Sequence, residues 1–149
     1  GRTEAGDVQV MSAGSGVQHA EWNEEDEATT LFQLWIQPRE AGGAPSWGAR
    51  KFPKDDRSGS WAVFASGTGE NDSLMIKQDA KVLGATLKAG ETLTYDMAAG
   101  RHGYLVLAAG SARLNGEVLN ARDGAAFTGA EHILLEGIDN AEIVFVDTV

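Results

Sequence analysis

Short apolar runs, separated by glycines and polar clusters, punctuate the chain from end to end. Val8-Gln9-Val10-Met11, Leu31-Phe32-Gln33-Leu34-Trp35-Ile36, Trp61-Ala62-Val63-Phe64, Leu74-Met75-Ile76, Tyr104-Leu105-Val106-Leu107, Ile133-Leu134-Leu135 and Glu142-Ile143-Val144-Phe145-Val146 are all of strand length. β-Branched and aromatic residues dominate several of them. Alternation is strict in Leu83-Gly84-Ala85-Thr86-Leu87 and Leu93-Thr94-Tyr95, the period of a strand with one buried face. No window keeps apolar residues at i, i+3, i+4 and i+7 over three turns, so the pattern predicts a nearly all-β chain. Nineteen glycines spread through 149 residues supply the tight turns such a fold needs. Gly110–Gly116 and Arg122-Asp123-Gly124 are read as two of those turns.

Pro38–Gly59 breaks the rhythm. It holds all three prolines and only scattered apolar residues, so it reads as a linker without an element of its own. Trp47 and Phe52 are expected to pin it to a surface. The division predicted is therefore 1–37, a linker over 38–58, and 59–149. The last part carries enough strands for a small barrel. The first offers only three, which need a partner surface: either they complete the downstream barrel or they belong with a further segment.

Composition narrows the function classes. With no cysteine there is no disulfide scaffold, thiolate metal site or cysteine nucleophile, and a reducing cytoplasm is the expected compartment. No stretch approaches the roughly 20 apolar residues of a membrane span, and Gly1–Val10 lacks the apolar core of a signal peptide. A net charge of -10 presents the wrong average field to a phosphate backbone, so direct nucleic-acid binding is not expected. The acidic run Glu24-Glu25-Asp26-Glu27 reads either as a solvated hairpin tip or as a patch for a cation or a basic partner.

Three histidines carry the candidate chemistry. In Gly14-Ser15-Gly16-Val17-Gln18-His19-Ala20-Glu21-Trp22-Asn23 a glycine turn leads into an expected strand, which places His19 and Glu21 on one face. An imidazole nitrogen and a carboxylate oxygen so placed can share one divalent ion, and a mixed nitrogen and oxygen set suits non-haem iron and its neighbours. The same pair also reads as a surface histidine beside a carboxylate, and two ligands do not hold a catalytic metal. His102 beside Arg101 and His132 at a strand start read as solvent-facing, and neither supplies a second ligand pair. A Gly-x-Ser-x-Gly elbow and a phosphate-binding glycine loop are both missing.

The run from Gly6 to Asn23, continued by Leu31-Phe32-Gln33-Leu34-Trp35-Ile36-Gln37-Pro38, closely resembles the pirin family of cupins, with bacterial pirin-like quercetinases as near members. Gly6, Gly14, His19 and Asn23 also occupy the general second cupin motif, with Ser12 in place of its proline and two extra residues before the histidine. The resemblance implies a tandem bicupin, two double-stranded β-helix (jelly-roll) barrels. Its N-terminal barrel binds metal through His-x-His, a later His and a Glu. His19 and Glu21 would be that later pair, with Glu21 also a candidate base, and the N-terminal barrel would be represented here only by its C-terminal part. Counting from Gly90, Asp96 and Ala98 stand at the first motif's histidine positions, so the second barrel is expected to be metal-free. The implied cofactor is a divalent transition metal, iron foremost, with copper, nickel, manganese, zinc or cobalt as alternatives. The implied activity is a metal-dependent dioxygenase acting on flavonols such as quercetin, and the alternative is a metal-modulated regulatory protein-binding module. The chain alone is expected to hold metal weakly and to be inactive, its strands pairing with the missing N-terminal cupin segment or with a second copy.

Overall fold

In the computed structural model, which describes residues 2–149, twelve strands and two single 3-10 turns make up the regular structure. β1 (Asp7–Ser12) pairs antiparallel with β2 (Ser46–Lys51), Val8 opposite Arg50 and Val10 opposite Gly48. The rest is β3 (Ala62–Ser66), β4 (Leu74–Met75), β5 (Ala80–Leu87), β6 (Thr92–Met97), β7 (His102–Ala109), β8 (Ser111–Leu114), β9 (Glu117–Asn120), β10 (Gly124–Thr128), β11 (Glu131–Gly137) and β12 (Ala141–Thr148). They form a six-stranded sheet ordered β10-β7-β12-β5-β3-β4 and a four-stranded sheet ordered β6-β11-β8-β9. The all-β cupin architecture expected from the sequence is the one observed.

Alternation assigns the two faces of the large sheet. On β12, Ile143, Phe145 and Asp147 point into the core between the sheets, while Val144 and Val146 point the other way. The inner core joins Leu83, Ala85 and Leu87 of β5 to Leu105 and Leu107 of β7 and to Ile133 and Leu135 of β11. Phe145, fully buried at its centre, touches Tyr95, Trp61 and Phe127 at ring distances of 4.9, 5.9 and 6.0 Å. Aromatic side chains thus fill the interior of this cupin. On the outer face, Val82, Val144 and Val146 meet Val8 and Val10 of β1, Ile36 and Phe52. The β1–β2 hairpin is therefore bound to the sheet by apolar packing, which gives a two-stranded ribbon the partner surface it needs.

Asp147 brings a carboxylate in from β12 beside the inner core. Asp147, 3% exposed, is paired with Arg101 and accepts the Tyr95 hydroxyl; Arg101 also reaches Asp79 at 3.0 Å. Burial pushes the Tyr95 phenol up, and the hydrogen bond to Asp147 pushes it further, so it stays neutral well above its ordinary range. For Arg101, burial works downward but the bonds to Asp147 and Asp79 outweigh it and raise its pKa.

Three expectations about elements fail. Gly110–Gly116, read as a turn, holds β8, because Ala112 and Leu114 are buried in the core and the strand finds β11 and β9 on its two sides; only Asn115-Gly116 turn. Leu31–Ile36 is not a strand, nor is the segment holding His19 and Glu21: residues 17–37 carry no strand. A strand exists only through a paired neighbour, and among the described residues no other segment pairs its backbone with these. The stretch 38–58, read as a linker without elements, instead contains β2 and the 3-10 turn Asp55–Arg57. β2 is Ser-Trp-Gly-Ala-Arg-Lys, too polar to signal itself, and its partner lies 34 or more residues earlier in the chain. Gly14 makes the return possible. At φ +54° it lies against Gly43–Pro45 so closely that a Cβ would sit 2.5 Å from the Gly43 carbonyl oxygen. The Ser15 N–H donates to that same oxygen at 2.8 Å.

Candidate functional site

β1 presents Val8 and Val10 to the sheet, so by period two Gln9 faces the opposite side, toward residues 17–23. There the Gln9 amide donates from Nε2 to Glu21 Oε1 at 2.8 Å, and its Oε1 accepts the Trp47 indole N–H at 3.4 Å. Trp47 comes from β2, register partner of Met11. The chain Trp47 to Gln9 to Glu21 thus ties an unpaired segment to the hairpin and orients one carboxylate. A carboxylate held this way resembles a metal ligand with its outer support in place.

His19 and Glu21 are both exposed. Their same-face placement cannot rest on strand geometry, because the strand is absent. Asn23, four residues after His19, instead organises a turn: its Nδ2 donates to the Glu27 carbonyl at 2.7 Å, and its Oδ1 accepts the Glu25 N–H at 3.1 Å. The acidic run is that turn rather than a hairpin tip, and Glu25 pairs with Arg2. The donor chemistry of His19 and Glu21 suits a divalent transition metal as far as two ligands go. Among the described residues, no group of three or more His, Cys, Asp or Glu side chains gathers there or elsewhere.

The other histidines stand apart from this pair. His102 is exposed, with Thr128 Oγ1 3.5 Å from its Nδ1. His132 on β11 lies opposite Asp96 on β6, its Nδ1 2.6 Å from Asp96 Oδ1. On β6 the residues facing the core are Leu93, Tyr95 and Met97, so Asp96 points to solvent, and Ala98 is exposed just beyond the strand. The interior place next to Asp96 is occupied by the Tyr95 ring.

Residues 17–37, the segment that holds His19 and Glu21, are unusually apolar at the surface. Trp22 is 84% exposed and Trp35 90%, with Leu31, Phe32 and Leu34 also bare. Bare apolar groups on this scale mark a surface made to be covered. Sequence reasoning found His19 and Glu21 from their spacing and singled out Trp47 as a surface anchor, but missed Gln9 and the bond between the two. The alternation of β1 put Gln9 on the polar face and so held the signal for it; the bond was hidden because the strand of Trp47 was not recognised.

Two family descriptions match the chain: "Quercetinase C-terminal cupin domain" over residues 63–148 and "Pirin" over residues 1–36. A pirin-like protein of Caulobacter vibrioides is 57% identical over 99% of this chain, which spans 64% of that relative. A quercetin 2,3-dioxygenase of Escherichia coli K12 is 31% identical over 96% of the chain, which spans 61% of its length. Among solved structures, the bacterial pirin YhhW of Escherichia coli in complex with nickel(II) superposes with a TM-score of 0.86 and 27% identity, covering 97% of this chain and 62% of that one. The chain thus spans under two thirds of the relatives it matches.

Proposed function

From the premise that this chain belongs to the pirin family, we propose that His19 and Glu21 are two ligands of a divalent metal site in a pirin-type bicupin that oxidatively cleaves flavonols such as quercetin. The observation that carries this reading is the Trp47 to Gln9 to Glu21 chain, which orients an exposed carboxylate two residues from an exposed imidazole. The remaining donors come from a complementary set of strands, an N-terminal cupin segment or a second copy, seated over the apolar surface of Trp22, Leu31 and Trp35. When bound, the ion supplies Lewis acidity that favours the deprotonated form of a flavonol hydroxyl. His19 acts as ligand only. Glu21 keeps one oxygen on Gln9, which leaves the other for the ion; as a base it would take the hydroxyl proton only with that second oxygen released from the ion.

The test is the gene product in the full length of its relatives, loaded in turn with iron(II), nickel(II), copper(II) and manganese(II) and given quercetin with dioxygen. Loss of quercetin absorbance matched by oxygen uptake is expected, and His19→Ala or Glu21→Gln should lower the rate at least a hundredfold. Quercetin left unchanged by every metal form removes the enzymatic reading. The bare Trp22–Trp35 surface then favours a second one, a metal-modulated module that binds a protein partner.

A further inference from the structure

Arg57, at the end of the 3-10 turn Asp55–Arg57, is 7% exposed, and its Nε is buried with no hydrogen-bond partner among the described residues. Its guanidinium lies over the Phe64 ring, 4.9 Å from the centroid. No carboxylate pairs with it: nearby Glu142 is engaged by Lys54. Burial pushes the Arg57 guanidinium down from its ordinary range while the field of Glu142 pulls it back up, and an arginine remains charged under either influence. A buried cation with no ion-pair partner among the described residues is a costly arrangement, and an anion placed beside it relieves that cost.

Beside it is a cavity of about 310 Å³, at the small end for ligand sites. Arg50, Lys51 and Phe52 from the hairpin, Trp61 and Val63 from around β3, and Arg57 all line it. Arg50 and Lys51 are partly neutralised by Asp72 and Glu4, and Asp56 also lines the cleft; Arg57 is its one lining cation without an ion pair among the described residues. Phe52 is fixed against Phe64 at 4.8 Å, and the Trp61 indole is held by its N–H on the Thr94 carbonyl at 2.9 Å. Two held aromatic side chains therefore line the same cleft as the Arg57 guanidinium.

We propose that this cavity, between the β1–β2 hairpin and β3, binds a small aromatic carboxylate, its carboxylate taken by Arg57 and its ring held by Phe52 and Trp61. A guanidinium offers two parallel N–H donors that match a carboxylate, and the aromatic walls add apolar contact that inorganic anions cannot use. The site shares no residue with His19, Glu21, Gln9 or Trp47, and it stands whether or not the metal reading does.

The test is titration of the chain with benzoate, followed by the Trp61 indole resonance in proton–nitrogen NMR at constant ionic strength, with acetate and inorganic phosphate as comparison anions. Saturable benzoate binding is expected, at least tenfold tighter than acetate or phosphate. Arg57→Gln should weaken it at least tenfold and Arg57→Lys by less, since lysine keeps the charge and loses the fork. Should Arg57→Gln fail to fold, arginine modification by phenylglyoxal, mapped by mass spectrometry on the unaltered chain, gives the same answer: benzoate should shield Arg57 selectively. No saturable shift, equal affinity for phosphate, unaltered binding by folded Arg57→Gln, or no shielding of Arg57 would each overturn the proposal.

Discussion

At position 84 a hydrogen is the only side chain the packing admits. A Cβ there would fall 1.9 Å from Cζ of Phe64 and 2.9 Å from Nη1 of Arg57, so the glycine lets both lie flat against β5. Gly84→Ala is expected to cost about 1–3 kcal/mol, the usual penalty for overpacking, read as a lower urea midpoint at unchanged slope. It should also disturb Arg57 more than any side chain of the inner core. Arg57 was not legible in the sequence. Among Pro53, Lys54, Asp55 and Asp56 it reads as one more solvated charge, and only the Phe64 ring arriving from β3 makes it a buried one. His19 and Glu21 were legible from spacing alone, whereas the Gln9 amide that orients Glu21 became visible only with β1 in place.

Strands announced themselves where a core was on one side. The apolar runs at 104–107, 133–135 and 142–146 fall inside β7, β11 and β12, and the alternation at 83–87 and 93–95 inside β5 and β6. β8 was read as a turn because it is four residues between two glycines, β9 and β10 went unread because they are short and mostly exposed, and β2 because its pairing is non-local. Leu31–Ile36 shows the converse: apolar character alone makes no strand without a partner edge. The β6 and β12 pair carries a pH prediction. Because the Tyr95 phenol is raised above its ordinary value of 10.0, the folded chain keeps that proton while the unfolded chain releases it. Its contribution is fully present below pH 10 and is lost as pH climbs from there toward the folded value. Alkaline urea titrations should show stability falling by up to about 1.4 kcal/mol per pH unit from this group, a slope that Tyr95→Phe removes. Equal slopes in the two proteins would exclude the role.

Seen as a whole, the molecule is a well-packed pair of sheets with a hairpin bound to its outer face and a long segment that rests on little. Between residues 17 and 37 no backbone N–H bonds to another backbone group among the described residues, while β5, β7 and β12 are paired on both sides. No helix is long and apolar enough to cross a membrane. Hydrogen exchange should therefore finish first in residues 17–37, by at least a hundredfold over β12, and a complementary strand set that covers Trp22 and Trp35 should slow it there alone. Uniform exchange rates along the chain would contradict this division.

The two-sided sheet also bears on how relatives of this chain diverge. Ile143 and Phe145 share their surroundings with Trp61, Tyr95 and Phe127, while Val144 and Val146 share theirs with Val8, Val10 and Phe52. Neighbours along β12 therefore answer to different partners. Across an alignment of the family, substitutions at alternate positions of this one strand should covary with two separate sets of distant residues, so that eight consecutive positions record two interleaved histories.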